Sequence, residues 1–239
     1  MDENERKMFE DWAESFDQEV AENDRKGGFP FAGYAKVLNF IAAEIAASPR
    51  PGKIRVLDLG IGTGTLESAI PPEKIEVSGI DASEKMLEIC RLKLPEANLF
   101  EGDFRLGIPE ELKTVEFDAI VATYSLHHLD FDEWIEHVHY LSHHLAPFGK
   151  IYVGDILFAN REEKALCRAR FPQEWDEDGM DHYHVVEDLL GKMEDHLAAS
   201  FLKLSFCAGV LIVENFRECR CFYEEKVRKQ ETAVKFGKK

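Results

Sequence analysis

Several things are scarce in this 239-residue chain, and each scarcity narrows what the protein can be. It has five cysteines (Cys90, Cys167, Cys207, Cys219, Cys221), an odd number with no Cys-x-x-Cys pair. That count argues against a disulfide framework and for reduced thiols. Cys219 and Cys221 stand at strand spacing and read as two thiols on one face of a sheet. No apolar run approaches the roughly 20 residues that cross a bilayer. The N-terminal stretch, Met1 to Trp12, lacks the basic start and apolar core of a secretory signal. A cytoplasmic protein is expected. Basic residues are also few: 29 Lys and Arg stand against 46 Asp and Glu, a net charge of −17. A polyphosphate substrate needs cations that displace its counterions, so nucleic acid is disfavoured, as is an anionic membrane surface.

What is present is an alternating pattern. An acidic stretch over 1–25 carries a helical stripe of Met8, Phe9, Trp12, Phe16 and Val20. A turn at Gly27 to Pro30 leads to a second amphipathic stretch from Tyr34 to Ala46, closed by Pro49 to Gly52. Short apolar runs then alternate with helical patterns from Lys53 to Leu157. That order predicts a Rossmann-like α/β fold with a mainly parallel sheet and right-handed crossovers. Residues 160–198 read as helices with a charged middle at Glu174 to Asp181, the acidic run itself being a solvated loop. Two further strands, over 201–208 and 217–225, predict an antiparallel addition near one edge of a seven-stranded sheet. Without a repeat or a linker, a single domain over 1–239 is expected: N-terminal lid helices at 1–48, a core at 53–158, an inserted lid segment at 159–198 and closing strands at 199–228.

The densest chemistry lies in Val56 to Gly64, where an apolar strand enters a turn with Gly60, Gly62 and Gly64 at alternating positions. Such glycines let backbone amides approach a ligand closely. The spacing is Gly-x-Gly-x-Gly, and Thr65 stands where a dinucleotide fingerprint places its third glycine. Asp81 ends the next strand, at the distance where an acid accepts both hydroxyls of a ribose. Asp103 and Phe104 end the following one, an acid to accept from an adenine amino group beside a ring to pack on the base.

This ordered set resembles the class I methyltransferases that use S-adenosylmethionine (AdoMet), over residues 53 to 155. The resemblance implies that Asp58 opens the glycine motif, that Asp81 holds the ribose, that Ala82 and Met86 flank the adenosine, and that Asp103 and Phe104 meet the adenine. Phe117 to Ala122 looks like the family's fourth strand, and Leu126 to Leu129 like its histidine-containing turn. Phe9 to Ala13, Phe16-Asp17 and Phe31 to Leu38 look similar to a small bacillus-type set of uncharacterised methyltransferases. Phe16 stands where many of those carry tyrosine.

The activity this likeness implies is transfer of a methyl group from AdoMet to a small molecule, by a monomer or a homodimer. Alignment and exclusion of water suffice for such a displacement, so no metal is expected. Residues able to reach the acceptor are Tyr124, His127, His128 and Asp155, with Tyr34, Trp175, His182, Tyr183 and His184 from the lid segments. His127 and Tyr34 are the candidates for proton removal or acceptor binding. A helix expected from Phe131 to Leu145 carries His137, His139, His143 and His144. His139 and His143 stand at i, i+4, but no glutamate lies between them in the zincin arrangement, and the histidines read as a solvated face. Two rival readings are a non-catalytic AdoMet sensor, separable by turnover on metabolite extracts, and a nicotinamide-dependent oxidoreductase, separable by ligand-induced thermal shift.

Overall fold

A computed structural model describes residues 3–176 and 181–215. The strands are β1 (Ile54–Leu59), β2 (Ile75–Asp81), β3 (Asn98–Glu101), β4 (Phe117–Thr123), β5 (Leu145–Phe158), β6 (His184–Val185), β7 (Leu197–Lys203) and β8 (Ala208–Asn215). Their order in the sheet is β3-β2-β1-β4-β5-β8-β7, with the short β6 paired to β5 off this path. β1 to β5 run parallel, and β8 is antiparallel to both β5 and β7. The mainly parallel seven-stranded sheet with one reversed strand near an edge is therefore present.

Burial on both faces explains the near-continuous apolar strands. Ile54 and Val56 of β1 enter one core cluster, and Leu57 and Leu59 enter the other. The first is covered by α3 (Tyr34–Ala46), which inserts Val37, Leu38, Ile41 and Ile45. The second is covered by α6 (Phe131–Ser142), through Trp134, Val138 and Leu141. Asp130 and Glu133 form a reciprocal capping box that fixes where α6 begins. Leu145, expected to end this helix, instead opens β5.

Two expectations shift. The N-terminal stripe is two helices, α1 (Glu3–Trp12) and α2 (Phe16–Lys26), and Met8 is exposed. The residues expected to form one strand over 201–208 divide among the end of β7, a turn and the start of β8, where Gly209 pairs with Lys203. The Phe201 ring of β7 lies 2.5 Å from where a Cβ on residue 209 would stand, so only glycine fits. The expected strand over 217–225, with Cys219 and Cys221, lies outside the described residues.

Candidate active site

The strand order turns back between β1 and β4, and a crevice opens there at the carboxyl ends of both strands. Gly60, Ile61 and Gly62 form its floor, Asp81, Ala82, Met86, Asp103 and Phe104 one end, and Phe9, Phe16, Tyr34, Tyr124 and His128 the other.

The glycine turn takes its shape from three positive φ angles, +77° at Gly60, +54° at Gly62 and +71° at Gly64. Gly60 and Gly62 border the crevice, and Gly64 does not. Its role is packing: a Cβ there would stand 2.7 Å from Cys90 Sγ of α5 (Glu84–Lys93).

Asp81 is held open by the backbone. Gly62 N–H donates to its Oδ2 (2.8 Å) and Ser83 N–H to its Oδ1 (2.9 Å). Burial pushes its pKa up to about 6, against the lowering effect of those amides. Each oxygen keeps a lone pair for another donor. Asp103 accepts from Arg105 N–H at the start of a 3-10 turn and is gripped by the Arg105 guanidinium, while Phe104 packs beneath it against His137. His137 itself is buried, not solvated.

Asp58 stands behind the turn rather than in the crevice wall. It is fully buried beside Glu67 of α4 (Thr65–Ser68), and neither Asp58 Oδ1 nor either Glu67 carboxylate oxygen has a hydrogen-bond partner. Burial and the Glu67 charge drive the Asp58 pKa well above the usual carboxylate range, and burial also raises Glu67. A proton shared between the two satisfies both.

The other end of the crevice is aromatic. Tyr34 and Tyr124 lie 5.0 Å apart between ring centroids, and Tyr124 occupies φ +50°, an uncommon conformation for a non-glycine residue. The Tyr124 hydroxyl is buried and has no partner. Burial, with the charges of Asp17, Asp58 and Glu67, raises the pKa of the Tyr34 phenol.

The adjacent histidines separate. His128 borders the crevice, edge-on to Phe9. His127 turns inward: its Nδ1 pairs with Asp155 Oδ1 at 2.7 Å, and its backbone N–H donates to Asp155 Oδ2 at 3.1 Å. Burial works against a charge on His127, but Asp155 and Asp181 raise its pKa; burial and His127 lower that of His128. His127 and Asp155 thus lie behind the wall instead of on it. Of the segment expected to supply acceptor contacts, Trp175 and Tyr183 pack on Phe29, His184 bonds the Leu129 carbonyl, and His182 donates its N–H to His127 O; none of the four lines the crevice. His143, at the end of α6, is exposed.

One cluster carries no signature in the sequence pattern. Asp17 of α2 accepts from Thr63 Oγ1 (2.6 Å) and Thr65 Oγ1 (3.1 Å), and the Lys93 ammonium reaches its other oxygen. Burial disfavours the Asp17 charge, but Lys93 and the threonine hydroxyls outweigh it and lower the pKa. Sequence separation hides such a cluster: only the position of Thr65 in the glycine turn gave a signal.

A strand-order reversal, a glycine turn and a following carboxylate are the arrangement with which open α/β sheets hold nucleotides. Comparison with known proteins narrows this. A family profile described as "Methyltransferase domain" matches residues 56–149. An uncharacterised methyltransferase of Alkaliphilus oremlandii is 33% identical over 190 residues, covering 80% of this chain and 82% of that protein. Another from Anoxybacillus flavithermus is 35% identical over 156 residues, 65% of this chain and 68% of the relative. Among solved structures, a DhpI complex with S-adenosylhomocysteine (SAH) superposes with a TM-score of 0.63 at 15% identity, over 88% of this chain and 94% of that one. The magnesium protoporphyrin IX methyltransferase of Synechocystis PCC 6803 with bound SAH gives 0.60 at 14%, over 87% and 98%. The chain belongs to the class I AdoMet-dependent methyltransferases.

Proposed function

We propose that the crevice binds AdoMet and that the protein transfers its methyl group to a small-molecule acceptor. The observation that carries this reading is Asp81, a carboxylate fixed by the amides of Gly62 and Ser83 in the crevice wall with lone pairs to spare. The residues fit the cofactor. Asp81 would accept from the ribose hydroxyls, Ala82 and Met86 would flank the adenosine, and Asp103 and Phe104 would meet the base. The Asp58–Glu67 pair, sharing one proton behind the glycine turn, keeps a single negative charge there, and Gly64 keeps that turn close to α5.

When bound, AdoMet supplies an electrophilic methyl group on a sulfonium. The protein's part is to orient and to exclude water. Phe9, Phe16 and Tyr124 enclose the acceptor end with apolar surface. Tyr34 donates a hydrogen bond to the acceptor, and so does the otherwise unpartnered Tyr124 hydroxyl. His127 holds its neighbour His128 in the wall through the pairing with Asp155. The acidic surface and the enclosed crevice favour a small acceptor over a nucleic acid. The free, buried thiols of Cys90, Cys167 and Cys207 favour the cytoplasm.

Calorimetry with AdoMet, SAH and NAD tests the cofactor assignment, and turnover on a metabolite extract tests catalysis. Saturable AdoMet and SAH binding with methyl transfer to a small compound is expected. Binding of NAD in their place, or AdoMet binding without turnover of any compound, overturns the reading in favour of an oxidoreductase or a sensor respectively.

A further inference from the structure

Behind the aromatic end of the crevice, three potential ligands converge from two distant parts of the chain. His127 Nε2 lies 3.7 Å from Asp181 Oδ1, and His128 Nδ1 lies 3.3 Å from the same oxygen. All three donor atoms stand within 4.8 Å of one another. We propose that His127, His128 and Asp181 form a binding site for a divalent first-row transition ion such as zinc, cobalt, manganese or iron(II).

The spacing favours an ion between these groups. Direct hydrogen bonds to oxygen span about 2.7–3.2 Å. Ligands about 2.1 Å from a tetrahedral ion stand about 3.4 Å apart. The observed separations, 3.3 and 3.7 Å, bracket the second spacing, and the shorter also admits a direct hydrogen bond between His128 and Asp181.

The surroundings are those a metal site requires. His127 directs Nδ1 to Asp155, and Asp155 Oδ1 also accepts from Ile156 N–H, so the imidazole is fixed with Nε2 free toward Asp181. A carboxylate behind a ligating imidazole sets its tautomer and raises its basicity. Asp181 is steadied in turn by the Tyr183 hydroxyl, which donates to Oδ2 at 3.0 Å. The peptide N–H of His182 donates to the carbonyl of His127 at 2.6 Å, joining the two ligand-bearing segments.

Charge points the same way. Asp155 and Asp181, at side-chain exposures of 2% and 18%, turn two carboxylates toward the imidazoles. A dication compensates them. Two imidazole nitrogens with one carboxylate oxygen suit borderline transition ions, whereas calcium and magnesium prefer all-oxygen sets. Three protein ligands leave further positions open. His128 also borders the crevice, so the proposed ion would lie next to its acceptor end. That last step rests on the methyl-transfer reading; the ion site does not.

The test uses the full chain, stripped with chelator and titrated with Co2+ and with Zn2+. One Co2+ per chain is expected, with visible d–d bands of nitrogen and oxygen ligation that Zn2+ displaces. Asp181→Asn should weaken binding at least about tenfold, His128→Ala should do the same, and Asp155→Asn about tenfold through the orientation of His127. SAH affinity, measured alongside on Asp181→Asn, reports that the fold is intact. Absence of stoichiometric Co2+ binding, or equal affinity in wild type and Asp181→Asn, overturns the proposal. Cobalt binding without SAH binding leaves the ion site standing and removes the cofactor reading, and the converse result does the opposite.

Discussion

Thr63, in the glycine turn, donates its hydroxyl to Asp17 of α2 over 2.6 Å. The bond joins the crevice floor to the N-terminal helices that roof it, and Lys93 reinforces it from α5. Asp17→Ala removes the acceptor shared by all three donors. AdoMet affinity should fall about tenfold by calorimetry, with near-unchanged far-UV circular dichroism. Affinity equal to wild type would show that the roof closes without this contact.

The proposed ribose contact of Asp81 would make cofactor binding pH-dependent. Its pKa is raised to about 6, so the carboxylate form is depleted below that pH. Affinity for SAH should therefore fall by up to about tenfold per pH unit on acidification below 6. Asp81→Asn should bind SAH more than about tenfold more weakly at pH 8, since its amide accepts at only one atom, and should lose the slope. In folding the sign is opposite. A carboxyl whose pKa is raised by burial favours the folded state in acid, and that contribution fades as pH rises from about 4 to about 6.

The Asp58–Glu67 pair gives a second pH effect, on stability alone. Both pKa values are raised in the folded chain, so the native state binds more protons than the unfolded one above the usual carboxylate range. Stability of the ligand-free protein is lost as pH rises and the shared proton leaves. Glu67→Gln replaces it with a permanent amide donor. Melting temperatures between pH 5 and pH 9 should decline less steeply in the variant, and parallel curves would place the proton elsewhere.

His127→Ala leaves the Asp155 carboxylate buried without its imidazole partner. Breaking a buried charged pair on one side costs about 3 kcal/mol, readable as a lower urea midpoint. Turnover should drop while SAH affinity stays within about twofold, since His127 does not border the crevice. Loss of SAH binding in a folded variant would put His127 in the cofactor site.

Tyr34→Phe keeps the ring in the crevice wall and deletes its donor. The expected result is about tenfold slower turnover at saturating acceptor, with cofactor affinity unchanged. Equal turnover would reduce Tyr34 to a packing residue.

The parts of this site that could be read from sequence are those whose chemistry is local. Val56 to Gly64 is one strand and its turn, and Asp81 and Asp103 each end the strand that comes next by simple succession. The Asp17–Thr63 and Asp17–Lys93 contacts span 46 and 76 residues, so no window contains both partners. His127 and His128 are neighbours of the same type, and only the 3-10 turn over Leu126–His128 decides which enters the wall. The strand expected over 201–208 is divided between β7 and β8, and the ring of Phe201 covering Gly209 is a contact no local pattern shows.

Traffic through the crevice is governed by its roof. Phe9 of α1 and Phe16 of α2 are among its walls, and α2 is latched to the floor. Were the proposed cofactor to enter and its spent form to leave past these helices, every cycle would contain two excursions of the chain's leading segment. Solvent viscosity would then slow a fast acceptor more than a sluggish one, because for the former the hinge, not the bond, keeps time.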